Sequence, residues 1–276
     1  MQSSNPVLTR YEKTDKSGFA YDEGVSAYSQ AATAGAAGAD TNAAFQQITA
    51  AGGARLTIND VIIKTMAVFA ITVVFAFAGW NLVDSQPWIL WVGMLGGLAL
   101  GFVNALKKVP SPPLIMLYAV FQGLMLGAIS NWYNAFAEGQ SYEGIVVQAV
   151  IATMTTFGVM LVLYITGIIK VTKRFVSILI VAAVSYIVLG IGSLIWAMFG
   201  GGGGWGIYGT GFGLIVAVFG VLVAAFFLML DFEAISQGIK LGVPERESWR
   251  MAFGLLMTLI WLYLEILRLL AIFSRN

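Results

Sequence analysis

Apolar residues run almost unbroken through seven stretches between residues 61 and 273, separated by short polar or charged segments. A helix needs about 20 such residues to cross the hydrocarbon core of a bilayer. The stretches are read at about 61–83, 88–106, 113–132, 144–169, 175–199, 209–232 and 249–273. Pro87 heads the second; Pro110, Pro112 and Pro113 introduce the third. Proline suits a helix start because the first amide hydrogens have no intrahelical acceptor. The pattern predicts an all-α integral membrane bundle of seven transmembrane helices. Residues 1–55 differ: they are small and polar, nearly all Ala and Gly from 31 to 39, without a periodic apolar face. They are predicted to be a flexible tail, retained because the charged-then-apolar plan of a signal peptide is missing. The domain plan is a tail over 1–55 and a membrane domain over 56–276.

Charges in the connections set the expected orientation. Lys107 and Lys108 follow the second stretch, Lys170, Lys173 and Arg174 the fourth, and Lys240, Arg246 and Arg250 the sixth. The alternate connections, 84–87, 133–143 and 200–208, hold no Lys or Arg. Arg10, Lys13, Lys16, Arg55 and Lys64 lie before or at the start of the first stretch. The positive-inside rule then places the N-terminus in the cytoplasm and, after seven crossings, Ser274 to Asn276 outside. The cell membrane (plasma or inner) is the expected location. Trp80, Trp88, Trp132, Trp205 and Trp249 fall near the ends of stretches, where an aromatic belt belongs.

Composition narrows the chemistry. Of 276 residues, 59% are hydrophobic and 11% charged, the net charge is +1, and mean hydropathy is +0.84. Nothing in this balance calls for a nucleic acid partner; the lipid bilayer is the expected surroundings. Cysteine and histidine are both absent, which removes disulfides, thiol nucleophiles and the usual His or Cys metal sites. No serine sits in a recognisable nucleophile elbow. The last stretch has no lysine to hold a retinal. Gly209-Thr210-Gly211-Phe212-Gly213 superficially suggests a nucleotide loop, but no strand precedes it. The chain is therefore not expected to be an enzyme, to carry a cofactor, or to hold a certain metal site.

Ionisable groups inside the stretches are the candidates for function, because a charge at bilayer depth is costly and faces a bundle interior or a water path. Asp231 and Glu233 lie near the end of the sixth stretch, two apart and so on different sides. Thr258, Trp261, Glu265 and Arg268 recur at spacings of three, four and three, forming one helical stripe. Glu265 and Arg268 can pair within that helix. Two readings follow: an ion path, or an ion pair that holds helices together. Counted from Met251 at about 1.5 Å per residue, Thr258 lies about 10 Å deep and Glu265 about 21 Å. Asp231 should thus lie closer in depth to Thr258 than to Glu265. Gln122, Gln148, Thr153, Thr155 and Thr156 are further polar groups at depth, read mainly as interhelical hydrogen bonders. Gly93, Gly97 and Gly101 recur every four residues, as do Gly123 and Gly127. Small residues at that spacing let helices approach closely, here chiefly within one molecule and secondarily between copies. The glycine run 200–204 is expected to be a flexible outer loop.

Three segments give the chain a family likeness: Tyr118-Ala119-Val120-Phe121-Gln122-Gly123-Leu124 with Gly127-Ala128-Ile129-Ser130; Leu230-Asp231-Phe232-Glu233-Ala234-Ile235; and Trp261-Leu262-Tyr263-Leu264-Glu265-Ile266-Leu267-Arg268-Leu269-Leu270. In that order, across about 56–273, they resemble the Bax inhibitor-1 family in its bacterial branch. The opening Ser4-Asn5-Pro6-Val7-Leu8-Thr9-Arg10 resembles actinobacterial members. The resemblance implies a seven-helix fold with the last helix central and six around it. It also implies a calcium or cation leak gated by protonation of two carboxylates near the cytoplasmic side. Asp231 matches the first. Aligned on Arg268, the second position is Thr258; in a second register Leu262-Tyr263-Leu264-Glu265 resembles the family's Leu-Tyr-Leu-Asp and puts Glu265 there, two turns deeper. The third-helix motif often has an acid where this chain has Gln122. Lys107 or Lys108 could pair with Asp231 to close the inner mouth. The expected function is a cation (calcium or proton) leak channel or transporter. The alternative is a non-conducting regulator that binds another membrane protein, such as a protease or a stress or cell-death factor.

Overall fold

A computed structural model describes residues 54–275. The predicted tail falls almost wholly outside the described residues. The chain divides between Arg55 and Leu56, and the second unit is the helical bundle. Its elements are α1 (Ile58–Leu82), α2 (Trp88–Leu106), α3 (Pro112–Glu138), α4 (Ile145–Ile165), α5 (Lys173–Met198), α6 (Gly213–Leu241) and α7 (Ser248–Phe273), with 3₁₀ turns at Gly201–Gly204, Gly206–Gly209 and Glu245–Glu247. All seven α-helices are long and apolar enough to span a membrane. Helices suit that solvent because each satisfies its own backbone hydrogen bonds.

The helix ends follow local chemistry. Thr57 and Asp60 form a capping box at α1: Asp60 N donates to Thr57 Oγ1 at 3.3 Å and Thr57 N donates to Asp60 Oδ2 at 2.9 Å. Thr172 caps α5 by accepting from Phe175 N at 3.2 Å. Pro112 and Pro113 open α3, and α6 stops at Gly242, whose φ of 64° is left-handed. Two helices outrun their apolar stretches: α3 continues to Glu138 and α6 to Leu241, where the sequence suggested 132 and 232. Hydropathy falls there, but intrahelical hydrogen bonding and packing continue. Ile235 and Ile239 of the last turns of α6 pack with Leu56, Val61, Val243 and Met251. Asp231, near the end of its apolar stretch, consequently lies well inside a helix.

Helix α7 is the centre. Leu255, Leu259, Leu262 and Ile266 pack into a core shared with α3, α4 and α6. Ala252, Phe253, Leu256 and Ile260 pack into a second core with α1 and α3. Four helices (α1, α3, α4 and α6) thus touch α7 along its length. The other two sit differently from a simple ring of six: α5 lies on α6 and reaches α7 through side chains, and α2 lies behind α3. The glycines explain the second placement. A methyl on Gly93 would meet Met125 N at 2.7 Å, and one on Gly97 would meet the Gln122 side chain at 3.1 Å. On α3, Gly123 and Gly127 face the backbone of α1 at Thr72, Ala76 and Trp80. Close backbone approach is what binds helices where lipid removes the usual hydrophobic drive.

The glycine run lies in the α5–α6 connection, where two 3₁₀ turns, Gly201–Gly204 and Gly206–Gly209, follow one another, with positive φ at Gly200, Gly202, Gly203, Gly204 and Gly206. Trp205 anchors them by stacking on Trp132 at 5.5 Å, with Phe136 at 4.8 Å and the Arg275 guanidinium at 5.5 Å.

Candidate functional site

The basic connections gather at one end of the bundle, where Lys64, Lys107, Lys108, Lys240 and Arg250 lie; here this is termed the basic end. Lys64 of α1 donates to Glu245 Oε1 and Ser248 Oγ, both at 2.7 Å, and lies 5.7 Å from the Trp249 ring. Arg250 donates to Glu247 Oε2 at 2.8 Å and to the carbonyls of Lys107 at 3.3 Å and Lys108 at 2.5 Å. It therefore ties the α2–α3 connection to the start of α7. Replacing Arg250 with Ala is expected to lower stability by about 1 kcal/mol, since these bonds are partly solvated. Backbone amide exchange around 107–111 should quicken with it; unchanged exchange there would show that the tie restrains nothing.

Asp231 lies ten residues before the end of α6, and Thr258 ten residues after the start of α7 (241 − 231 and 258 − 248). At about 1.5 Å per residue both are about 15 Å from the basic end. The structure brings them together. Asp231 Oδ1 faces α7 at Gly254, where an added methyl would stand 3.6 Å away. The Thr258 side chain is beside the carboxyl, while its hydroxyl donates to the Gly254 carbonyl at 3.2 Å. Asp231 Oδ2 is fully buried and has no hydrogen-bond partner among the described residues. Buried acceptors are nearly always satisfied, and each exception is costly. An acceptor in this position is what a proton, a cation or a water would satisfy. Among the described residues no ion pair includes Asp231, and the Lys107 and Lys108 carbonyls are engaged with Arg250.

Glu265 is in a different place. It is 2% exposed and lies nearer the opposite end of α7. Arg268 Nη1 donates to its Oε2 at 2.9 Å, Tyr186 of α5 donates to the same oxygen at 2.5 Å, and Trp261 Nε1 donates to Oε1 at 3.0 Å. Arg268 also reaches the Tyr186 and Tyr208 hydroxyls at 3.0 and 3.3 Å and stacks on the Tyr208 ring at 4.7 Å. Both charges are therefore paired and hydrogen-bonded, which is the condition for burying them. The stripe seen in the sequence is real, but its ends serve two clusters: Thr258 stands by Asp231, and Trp261, Glu265 and Arg268 form a clamp with α5 and the α5–α6 turn.

The remaining candidates have local partners. Glu233 accepts from Tyr164 of α4 at 2.9 Å and from Gln237 at 2.7 Å, so it points away from Asp231. Gln122 donates to the Tyr118 hydroxyl at 2.9 Å; its Oε1 is buried without a partner beside Gly97. Thr153 and Gln148 bond to carbonyls of their own segment, and Gln148 also accepts from Tyr142. Among the described residues no cluster of three Asp or Glu could hold a metal ion. Sequence reasoning missed Tyr186, Tyr208 and Tyr164. The available signal was weak: a tyrosine within an apolar run usually finds a partner for its hydroxyl, but nothing in the run names that partner.

A seven-helix bundle with an apolar exterior, a central last helix and a buried, unpartnered carboxyl oxygen defines a multi-pass membrane protein. The model of the family described as Bax inhibitor 1 like matches residues 5–275, and the chain belongs to that family. No curated protein matches it.

Proposed function

We propose that this protein is a cation leak channel or transporter, carrying calcium or protons, with Asp231 as its gating carboxylate. The basic end then faces the cytoplasm, in keeping with the positive-inside rule, and the protein resides in the plasma or inner membrane. The observation that carries this reading is the orphaned Oδ2 of Asp231 at membrane depth, opposite Gly254 and Thr258 on the central helix. Gly254 leaves space at that point, and Thr258 supplies a hydroxyl without a second charge. The gate in this reading is a single carboxylate: with no second acid beside it among the described residues, Asp231 has no carboxyl partner to share a proton with. Glu265, neutralised by Arg268, acts as a structural clamp. The protein is read as non-enzymatic. A second reading, a non-conducting regulator of another membrane protein under stress, is favoured by that same lack of a second acid at Thr258.

Calcium flux into proteoliposomes, followed from about pH 5 to pH 8 so that carboxyl protonation is sampled, tests the proposal. Flux that varies with pH and collapses in Asp231→Asn, but persists in Glu265→Gln, is the expected result. Collapse in both would instead make Glu265 a second gating acid. No flux above empty liposomes would transfer the weight to the regulator.

A further inference from the structure

A cavity of 440 Å³ opens between α1 and α4, floored by α3 and α7. These two walls share no substantial packing of their own; each rests on α3 and α7. We infer that this crevice is a binding site for one acyl chain of a membrane phospholipid, taken from the leaflet away from the basic end. The inference goes beyond ion conduction and does not depend on it.

Four observations lead there. The rim is exposed and wholly apolar: Val73, Phe77, Val150 and Met154 are 52%, 74%, 44% and 40% exposed, on helices that face lipid. The hydroxyls inside are already engaged. Thr72 donates to the Val68 carbonyl at 2.9 Å, Thr153 to the Ala149 carbonyl at 2.7 Å, and Ser130 bonds to Tyr263 at 2.7 Å. A headgroup would find nothing to pair with there, and a hydrocarbon chain needs nothing.

Depth is the third observation. On α1 the lining runs from Phe69 to Trp80, eleven residue steps or about 16 Å, half of the roughly 30 Å hydrocarbon core. On α4 it runs from Val146 to Met154, beginning next to the helix start. On α7 it runs from Leu256 to Tyr263, about mid-helix. The crevice therefore opens in the leaflet away from the basic end and reaches down to the bilayer middle, and Trp80 marks its outer end at interfacial depth. Volume is the fourth. At 440 Å³ the space is within the size range of small-molecule sites, and an acyl segment can lie in it with carbons about 4 Å from the walls' atoms. The driving force is filling of a void: lipid tails are as apolar as the walls, but an empty crevice forfeits the dispersion contacts its lining would otherwise make.

The test reconstitutes the full chain with a phosphatidylcholine carrying a diazirine midway along one acyl chain, illuminates it, and maps adducts by peptide mass spectrometry. Adducts are expected on Leu259 and Thr153, which are buried but line the crevice, as strongly as on the exposed Val181 and Val188 of α5. Leu262, buried but outside the crevice, should carry none. In Val150→Trp the Leu259 and Thr153 adducts should fall roughly fivefold, because the filled crevice has no room for a chain, with Val181 unchanged. Val181→Trp is the matched control for insertion of the same ring. Labelling of the unaltered protein is decisive even if Val150→Trp does not fold. Adducts that follow exposure alone would overturn the proposal. So would disulfide-linked dimers of Val150→Cys accompanied by unlabelled Leu259, which would make the occupant a second copy of this chain.

Discussion

Replacing Arg268 with Met is expected to destabilise the bundle by about 3–5 kcal/mol, the cost of leaving a buried charge without its counter-ion. Glu265 is held at 2% exposure by three donors, and Arg268 is the one that carries charge. Without it, Tyr186 and Trp261 still donate, but the negative charge has no neutralising partner. Adding Glu265→Gln to Arg268→Met should therefore restore a large part of the loss. Unfolding measured for both single variants and the double variant gives the coupling, expected at about 2 kcal/mol or more for contacting residues. Strictly additive losses would show that the two groups do not act as a unit. The same variants separate structure from conduction. Arg268→Met should lower stability while leaving flux per folded molecule near normal. Asp231→Asn should do the reverse, because it removes no hydrogen bond from Asp231 Oδ2.

Gly127→Val is the second large effect, expected to cost about 3 kcal/mol or to prevent folding, at the upper end for overpacked cores. A Cβ on Gly127 would overlap the Ala76 carbonyl oxygen and stand 2.6 Å from Trp80 N. Both are backbone atoms of α1 and cannot swing aside, so the helices must separate along the contact that Gly79, Gly123 and Gly127 form together. Gly101→Ala makes the contrast. Its methyl would meet Tyr118 Cε2 at 3.5 Å, an ordinary contact, and should change stability by less than about 0.5 kcal/mol. Both substitutions lie in the glycine stripes, and thermal unfolding of the two in the same detergent distinguishes them. Equal tolerance would mean that α1 and α3 are not held by backbone contact.

The number and order of the helices were legible because hydrocarbon imposes a length and an apolar composition on every crossing. Their ends were legible only where chemistry marks them. Pro112 is such a mark; Glu138 and Leu241 end helices that run on past their apolar stretches, since an α-helix stops when its hydrogen bonds stop and not when hydropathy falls. Along one helix the sequence also placed polar groups relative to each other. Glu265 and Arg268 are three apart and do pair. The rise per residue put Asp231 closer in depth to Thr258 than to Glu265, and Asp231 and Thr258 stand side by side.

What needed the tertiary structure was every relation between helices. Depth follows from counting, but the direction a side chain faces depends on how each helix is rotated about its axis, and packing with its neighbours sets that rotation. Glu233 turns to Tyr164 and leaves Asp231 Oδ2 alone for this reason. Tyr186, 79 residues before Glu265, and Tyr208, 60 before Arg268, complete the clamp only because α5 and the turn after it fold back onto α7. The crevice between α1 and α4 has no sequence signature at all. It is a space that two apolar helices leave by packing on the same neighbours, and a chain of amino acids does not encode an absence except through the positions of what surrounds it.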